Sequence, residues 1–540
     1  MRWQSLLAKK NPKGYEQFCV NILQSKMGMP RPSEEMVIES CRKTVLHLTT
    51  EPKLVEVSDF VFTKHPRWGN SNGNPARLNK ELLCSELRRT VKEVFGGKSY
   101  TKRDHYEPFF PSTSANYVRG RNSMGAVGEI QDFIKKEGLK TSNLIDITNG
   151  EVKSRDKRST HYGKFGDDED WRGVEDALRG REYNEEGIYF ESNGLREEWV
   201  KLMDRLKIAA KAEVPLVNPV GLMEALKVRV ISKGPPLLYT FLKPFQKFMW
   251  RTLKDNKVFE LISRPVVDLD IDQAIGELKD DEMIVNGDYK ASTDNLHSWV
   301  SECIANEIID TLNESGNEEK LDLDVDFREL LLRSLIGHIF EYDFETKDGK
   351  INSKKYLDGI AQGGVQEVQA RAYLASTWHP QREGQLMGSV TSFPILCLAN
   401  AAMCRLAIEE SYGKLFDLRG CDPDYDRLAP LRVNGDDCIL KGLRDLEPTW
   451  VEITKFGGLS TSVGKTVYAT SEKPVAVINS TTFHFNNGWR EVKYVNMGIM
   501  LGKRRSGIDE ELKRGYGQLG TLHRDLYETC PEWLWEEVSK

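Results

Sequence analysis

The chain has 540 residues, 39% of them hydrophobic and 29% charged, the composition of an ordinary soluble globular protein too long for one simple core. Its 76 basic and 82 acidic side chains give a net charge of −6, which argues against general nucleic-acid stickiness but leaves room for one basic channel. The nine cysteines are scattered with no CxxC pair, which fits reduced intracellular thiols and neither a zinc site nor a disulfide framework.

"MRWQSLLAKKNPKG" contains no apolar core of signal-peptide length, and no run approaches a membrane span, so a soluble intracellular protein is expected. "WGNSNGNPAR" (68–77) is a turn-rich break that would separate an N-terminal segment from the rest. From Gly150 to Glu198 charges of both signs crowd out aliphatic residues, and solvated surface or a mobile loop is expected. "EALKVRVISKG" (224–234) alternates like a strand, with Lys227 and Arg229 on one face and Lys233 further along. Such a strand suits a triphosphate, although a basic strand is more often a solvated edge.

"EMIVNGDYKASTDNL" begins as a strand and ends as a helix whose stripe runs Leu296, Trp299, Val300, Cys303, Ile304 and Ile308. Ser292 or Thr293 would cap that helix, with Asp288 at the strand's end and Asp294 in the first turn. "EYDFETKDGKINSKKYL" (341–357) reads as a hairpin around Asp-Gly. "GQLMGSVTSFPILCLANAAMCRLAI" is a glycine-containing loop followed by a helix striped by Ile395, Leu398, Ala399, Ala402, Met403 and Leu406, with Pro394 in the first turn. "LRVNGDDCIL" reads strand, Asn-Gly turn, strand, so that Asp436 and Asp437 come directly after the turn.

An isolated acidic turn is usually solvent decoration. Asp288, at the end of another strand, supplies a third carboxylate, and like charges packed this closely are costly unless a cation offsets them. Hard divalent cations such as Mg²⁺ prefer carboxylate oxygens together with substrate phosphates. Two ions about 3.5–4 Å apart would activate an attacking hydroxyl and stabilise a leaving pyrophosphate. Lys465, in "SVGKTVY", lies beyond the hairpin, where a surface lysine is the bland alternative.

These pieces, in this order, resemble an RNA-dependent RNA polymerase. "DYKASTDN" matches motif A, "GQLMGSVTSFPILCLAN" motif B, "NGDDCIL" motif C, "STSVGK" motif D, "INSTTF" motif E and "KVRVISKG" motif F. "PSTSANYVRGR" (111–121) resembles the template-side element before motif F, and with "YVNMGIMLGKRR" (494–505) the wording is most similar to the ourmia-like viruses of the Botourmiaviridae, relatives of the narna-like and levi-like polymerases.

The resemblance implies an α+β right-hand fold. Residues 1–107 would be an N-terminal extension supporting the fingers, 108–285 the fingers, 286–485 the palm with an insertion near 310–380, and 486–540 a small thumb. It implies Asp288, Asp436 and Asp437 as ligands of two Mg²⁺ ions, with Mn²⁺ as a substitute, and Lys465 as the general acid for pyrophosphate. Lys227, Arg229, Lys233, Asp294, Asn295, Ser392 and Asn400 would lie on the nucleotide side. Ser112, Thr113, Ser114 and Tyr117 would touch template RNA with Arg119 and Arg121 behind them, while Gly384 and Gly388 let the motif B loop adapt. Template and product RNA and NTPs are the implied partners, and the host cytoplasm the implied location.

Two departures stand out. Motif B usually spaces Ser/Thr and Asn four residues apart, whereas Asn400 follows Ser392 by eight, a helical rise of about 12 Å. One ribose cannot meet both, so Ser392 is expected at the sugar and Asn400 on the template side or in a structural role. Few residues follow "NMGIMLGKRR", so any larger clamp on product RNA would come from the N-terminal segment. The rival readings are a reverse transcriptase, which would carry an aromatic residue before the paired Asp, and a catalytically silent viral RNA-binding protein.

Overall fold

Four antiparallel strands in the order Leu431–Asn434, Asp437–Leu443, Glu282–Gly287 and Val467–Thr470 form the central sheet. The structure, a computed structural model, describes residues 9–10, 12–25, 29–69, 74–109, 111–139, 181–183, 189–191, 193–419, 428–495 and 516–538. All six residues of Glu282–Gly287 are buried, as a strand covered on both faces should be. Its alternate side chains divide between two cores. Met283 and Val285, with Cys438 and Leu440, face the main core built with the helices Lys80–Phe95, Ser298–Asn313 and Ser392–Tyr412. Ile284, with Ile439 and Ala469, faces a smaller core closed by Ile478, Phe483 and Trp489 of a three-stranded sheet. The arrangement is α+β.

The Ser392–Tyr412 helix is apolar nearly all round, and 19 of its 21 residues are buried. By length and hydropathy it would pass as a membrane span, which corrects the expectation that no run does; its burial makes it the central core helix instead. Its buried charges are matched by the Lys80–Phe95 helix: Arg89 Nη2 to Glu409 Oε1 spans 2.9 Å, and Arg405 Nη2 reaches Thr90 Oγ1 at 2.9 Å.

The basic strand Lys227–Lys233 is indeed an edge, in a second sheet ordered Lys227–Lys233, Leu216–Glu224, Ile339–Glu341, Trp378–Pro380. The eight described cysteines are free thiols; Cys421 lies outside the described residues.

Several local expectations change. The 68–77 stretch joins two paired strands, Val57–Val61 and Arg77–Asn79, and Phe62 before it shares the main core with Leu78 after it, so the chain does not part there. Within 150–198, the described residues form the strand pair Arg181–Tyr183 and Tyr189–Glu191 and the start of the helix Asn193–Ala212; the rest lies outside the described residues, as do 496–505. No hairpin forms at 341–357. The Asp343 carboxylate accepts from Glu345 N at 2.9 Å and from the Tyr373 hydroxyl at 2.7 Å, which bends the chain, and Ser353–Gln362 is helical. The helix after Asp288 is broken as well. Ser292–Asn295 makes one turn, buried Leu296 interrupts it, and Ser298–Asn313 follows. The cap on the second helix comes not from Ser292 or Thr293 but from Glu383, whose Oε1 accepts from Ser298 N at 2.8 Å.

Candidate active site

The turn between the two strands of the acidic hairpin sits one residue later than the Asn-Gly signal suggests. Asn434 pairs with Asp437, so Gly435 and Asp436 are the turn residues and Asp437 opens the second strand. Gly435 has φ +69°, matching a tight turn with glycine at its first central position. The core helix sets this register. Gly435 N donates to Cys397 Sγ at 3.3 Å, and a Cβ on Gly435 would come 2.9 Å from the Phe393 ring. Asn400, fully buried, donates through Nδ2 to the carbonyls of Gly435 (3.0 Å) and Asp436 (3.3 Å). Its Oδ1 accepts from the Tyr289 hydroxyl at 2.8 Å, so one side chain ties the turn to the residue after Asp288. These bonds are what the structural one of the two roles left open for Asn400 would require.

Cys438 pairs with Gly287 across the sheet, so Asp437 and Asp288 are the next residues beyond that pair on two adjoining strands. Carboxylates gathered at neighbouring strand ends repel one another. Lys465 offsets them: its Nζ lies 3.2 Å from Asp288 Oδ2 and 3.3 Å from Oδ1. The Lys465 loop is anchored on either side of that ammonium. Ser462 N (2.8 Å) and Thr466 Oγ1 (3.0 Å) both donate to the Asp288 carbonyl, so Lys465 moves by its side chain more than by a swing of the loop, despite Gly464 at φ +82°. Asp436 Oδ2 accepts from Ser292 Oγ at 3.0 Å.

Among the described residues no three His, Cys, Asp or Glu side chains converge closely enough to hold a metal ion. The three carboxylates lie at one end of the central sheet's strands, but Lys465 holds one of them and Ser292 another. Their donor chemistry fits a hard divalent cation, all three being carboxylates, while burial keeps the Cys438 thiol protonated.

Lys227 shares this space. It is exposed to solvent, yet burial first, then the charges of Arg229 and Lys465, lower its pKa, while Glu224 and Asp288 oppose the shift. Arg229 is engaged by Glu224, Nε to Oε1 3.1 Å. Lys233 is half-buried at the strand's end.

The loop before the core helix is wedged between two of these segments. Gly384 (φ +72°) leaves no room for a side chain, since a Cβ would meet the Asp294 carbonyl oxygen at 2.3 Å. At Gly388 (φ +126°) a Cβ would meet the Ser232 carbonyl oxygen at 2.4 Å, and Ser232 N donates to Met387 O at 2.8 Å. Both glycines thus serve close backbone packing as well as any adaptability. Ser392 is 3% exposed, and its hydroxyl donates to Gln385 Oε1 at 2.7 Å, so it must leave Gln385 to reach a sugar. Burial pushes the Asp294 carboxyl up to about 6, against the Thr293 hydroxyl and the charge of His47. Asn295 Nδ2 donates to Lys290 O at 2.6 Å.

On the template-side element, Ser112, Thr113, Ser114 and Arg121 are exposed. Ser112 Oγ and Ser114 Oγ lie 2.9 Å apart, and Asn116 Oδ1 accepts from Val118 and Arg119 N, a locally bonded turn. Tyr117 N donates to Gly234 O at 2.9 Å, joining this turn to the end of the basic strand, and burial with the Glu341 carboxylate raises its phenol. Arg119 is paired with Glu129 (3.1 Å) and Asp132 on the following helix. Sequence reasoning missed Tyr289, Gln385 and His47, and took Ser292 only as a helix cap. Ser292 and Tyr289 stand inside the motif A wording and Gln385 inside the motif B wording, whereas nothing in the sequence marks His47.

Over 249 residues the chain is 32% identical to the RNA-dependent RNA polymerase of Ourmia melon virus (isolate Melon/Iran/VE9). The ourmia-like resemblance holds. The match covers 45% of this chain and 25% of that polymerase, so the chain spans well under two thirds of its relative. No protein-family model matches the chain.

Proposed function

We propose that this chain is a viral RNA-dependent RNA polymerase, copying a positive-strand RNA genome in the host cytoplasm by adding NTPs to the 3′-OH of nascent RNA. One observation carries the reading: Asp288 and Asp437 stand at neighbouring ends of two adjoining strands, just beyond the Gly287–Cys438 pair and beside the turn that holds Asp436, in a chain similar to such a polymerase. On this reading 286–485 is the palm, 108–285 the fingers, 1–107 their N-terminal support and 486–540 a small thumb. The helix Pro12–Gln24 supports the expected N-terminal contribution to a clamp, since Asn21 Oδ1 accepts from Val495 N at 2.8 Å and Gln24 Nε2 donates to Ser480 O at 3.0 Å.

Asp288, Asp436 and Asp437 would hold Mg²⁺, or Mn²⁺ in its place, which when bound supplies activation of the attacking hydroxyl and charge stabilisation of the leaving pyrophosphate. Lys465 leaves Asp288 when that carboxylate is otherwise neutralised, and its ammonium protonates the departing pyrophosphate. Lys227 draws in the triphosphate, with Arg229 and Lys233 behind it. Asp294 and Ser392 face the ribose, and the exposed 112–114 turn meets the template.

The test is purified chain with an RNA template, labelled NTPs and Mg²⁺, with and without a primer. Asp436→Asn or Asp288→Asn should lower synthesis by several orders of magnitude with the melting temperature retained. Preference for dNTPs would indicate a reverse transcriptase. RNA binding without incorporation would leave only a silent RNA-binding protein.

A further inference from the structure

The helix Glu34–Thr49, remote in sequence from every motif above, ends against the nucleotide side of the site. His47 Nε2 lies 3.2 Å from the carbonyl oxygen of Asp294. Leu48 O accepts from Arg382 N (2.7 Å) and Glu383 N (3.2 Å), and Val45 and Leu48 share a small core with Leu386 of the loop before the central helix. At Gly384 a Cβ would strike both the Asp294 carbonyl (2.3 Å) and Leu48 Cδ2 (2.7 Å), so three segments meet at one point.

The one-turn helix Ser292–Asn295 explains why this contact matters. So short a helix leaves its last carbonyls without partners inside it. Thr293 O is satisfied by Gln385 N at 2.8 Å, and His47 supplies the donor for Asp294 O. The bond requires a proton on Nε2, which the imidazolium and one neutral tautomer both provide.

We infer that His47 is a positioning residue for Asp294, fixing the carboxylate that faces the incoming sugar and tying the N-terminal segment to ribonucleotide choice. The inference rests on the polymerase reading and on the place that reading gives Asp294. His47 itself is exposed and touches no reacting atom. Its loss should therefore alter how well the sugar is held without altering the chemical step.

The experiment measures single-nucleotide incorporation of NTP and dNTP by the full chain carrying His47→Leu, His47→Gln, Asp294→Asn, and His47→Leu combined with Asp294→Asn. His47→Leu should raise KM for NTP and narrow the NTP/dNTP preference, each about three- to ten-fold, the range of one lost hydrogen bond, with kcat little changed. His47→Gln, whose amide can donate to the same carbonyl, should recover most of the loss. In the double variant His47→Leu should add little to Asp294→Asn, the mark of residues acting through one another. Wild-type KM and discrimination in His47→Leu would overturn the inference, as would full additivity, or a fall in melting temperature and kcat with discrimination unchanged. Failure of the polymerase reading shows separately, as a wild-type chain that incorporates nothing.

Discussion

Asn400→Leu tests whether the acidic turn is held from the core helix. Leucine keeps roughly the shape of the side chain but neither donates nor accepts. The change leaves the Gly435 carbonyl (3.0 Å) and the Tyr289 hydroxyl (2.8 Å) without their partner, and the longer contact to the Asp436 carbonyl (3.3 Å) is lost too. A buried polar group abandoned in this way costs about 1–3 kcal/mol. Asn400 is fully buried, so water does not readily replace it. Two strongly affected groups, set against the favourable burial of a leucine, give a local destabilisation of about 2–4 kcal/mol. Native-state hydrogen exchange reads this directly, because local opening of the 431–443 hairpin would become about 30- to 900-fold more frequent. Synthesis should fall in parallel as Asp436 and Asp437 lose their fixed backbone. Unchanged protection of those amides would refute the reasoning, and a raised KM for template alone would mean that Asn400 reads RNA.

Lys465→Leu should slow single-turnover incorporation, with little change in NTP affinity, by the 10²–10⁴-fold typical of a lost general acid, roughly estimated. Lys465→His should retain part of the rate with its pH dependence moved toward about 6.5, and weakened NTP affinity at full maximal rate would reduce the lysine to a charge. Ser392→Ala should narrow the NTP/dNTP preference by about five- to thirty-fold if the hydroxyl leaves Gln385 for the ribose; unchanged preference would make it a structural partner of Gln385. Asp294, raised to about 6 from 3.8, binds its proton more tightly in the folded chain, so its contribution to stability falls as pH rises through that interval. Asp294→Asn should therefore raise the melting temperature at pH 7.5 but not near pH 4, and an equal effect at both values would contradict the assignment.

How much of this site the sequence disclosed depended on the range of the interactions involved. Alternation and runs are local, so Glu282–Gly287, the basic edge strand and the long core helix were legible from periodicity. The acidic hairpin was legible too, but its turn was not, because Asn-Gly and Gly-Asp are both acceptable turns. The choice falls to Phe393, Cys397 and Asn400 on another element. The helix expected from Ser292 failed for the same reason: Glu383, 85 residues away from Ser298, provides the cap that splits it in two. His47 and Gln385 are ordinary residues until folding brings them to Asp294 and Ser392.

A consequence for binding follows from these contacts. Asp288, Asp436, Ser392 and Arg229 are each bonded to a neighbour within the chain, through Lys465, Ser292, Gln385 and Glu224. Any ligand that engages them exchanges one hydrogen bond or ion pair for another, and such exchanges are worth little net, about 0.5–1.5 kcal/mol each. Affinity must then come from terms without an internal substitute. One such term is the exposed Lys227 ammonium, which on the proposed reading would meet a polyanionic triphosphate. Binding should accordingly weaken with added salt more steeply than with loss of any single hydrogen-bonding side chain, and a salt-independent NTP affinity would show that the hydrogen-bonded groups carry it.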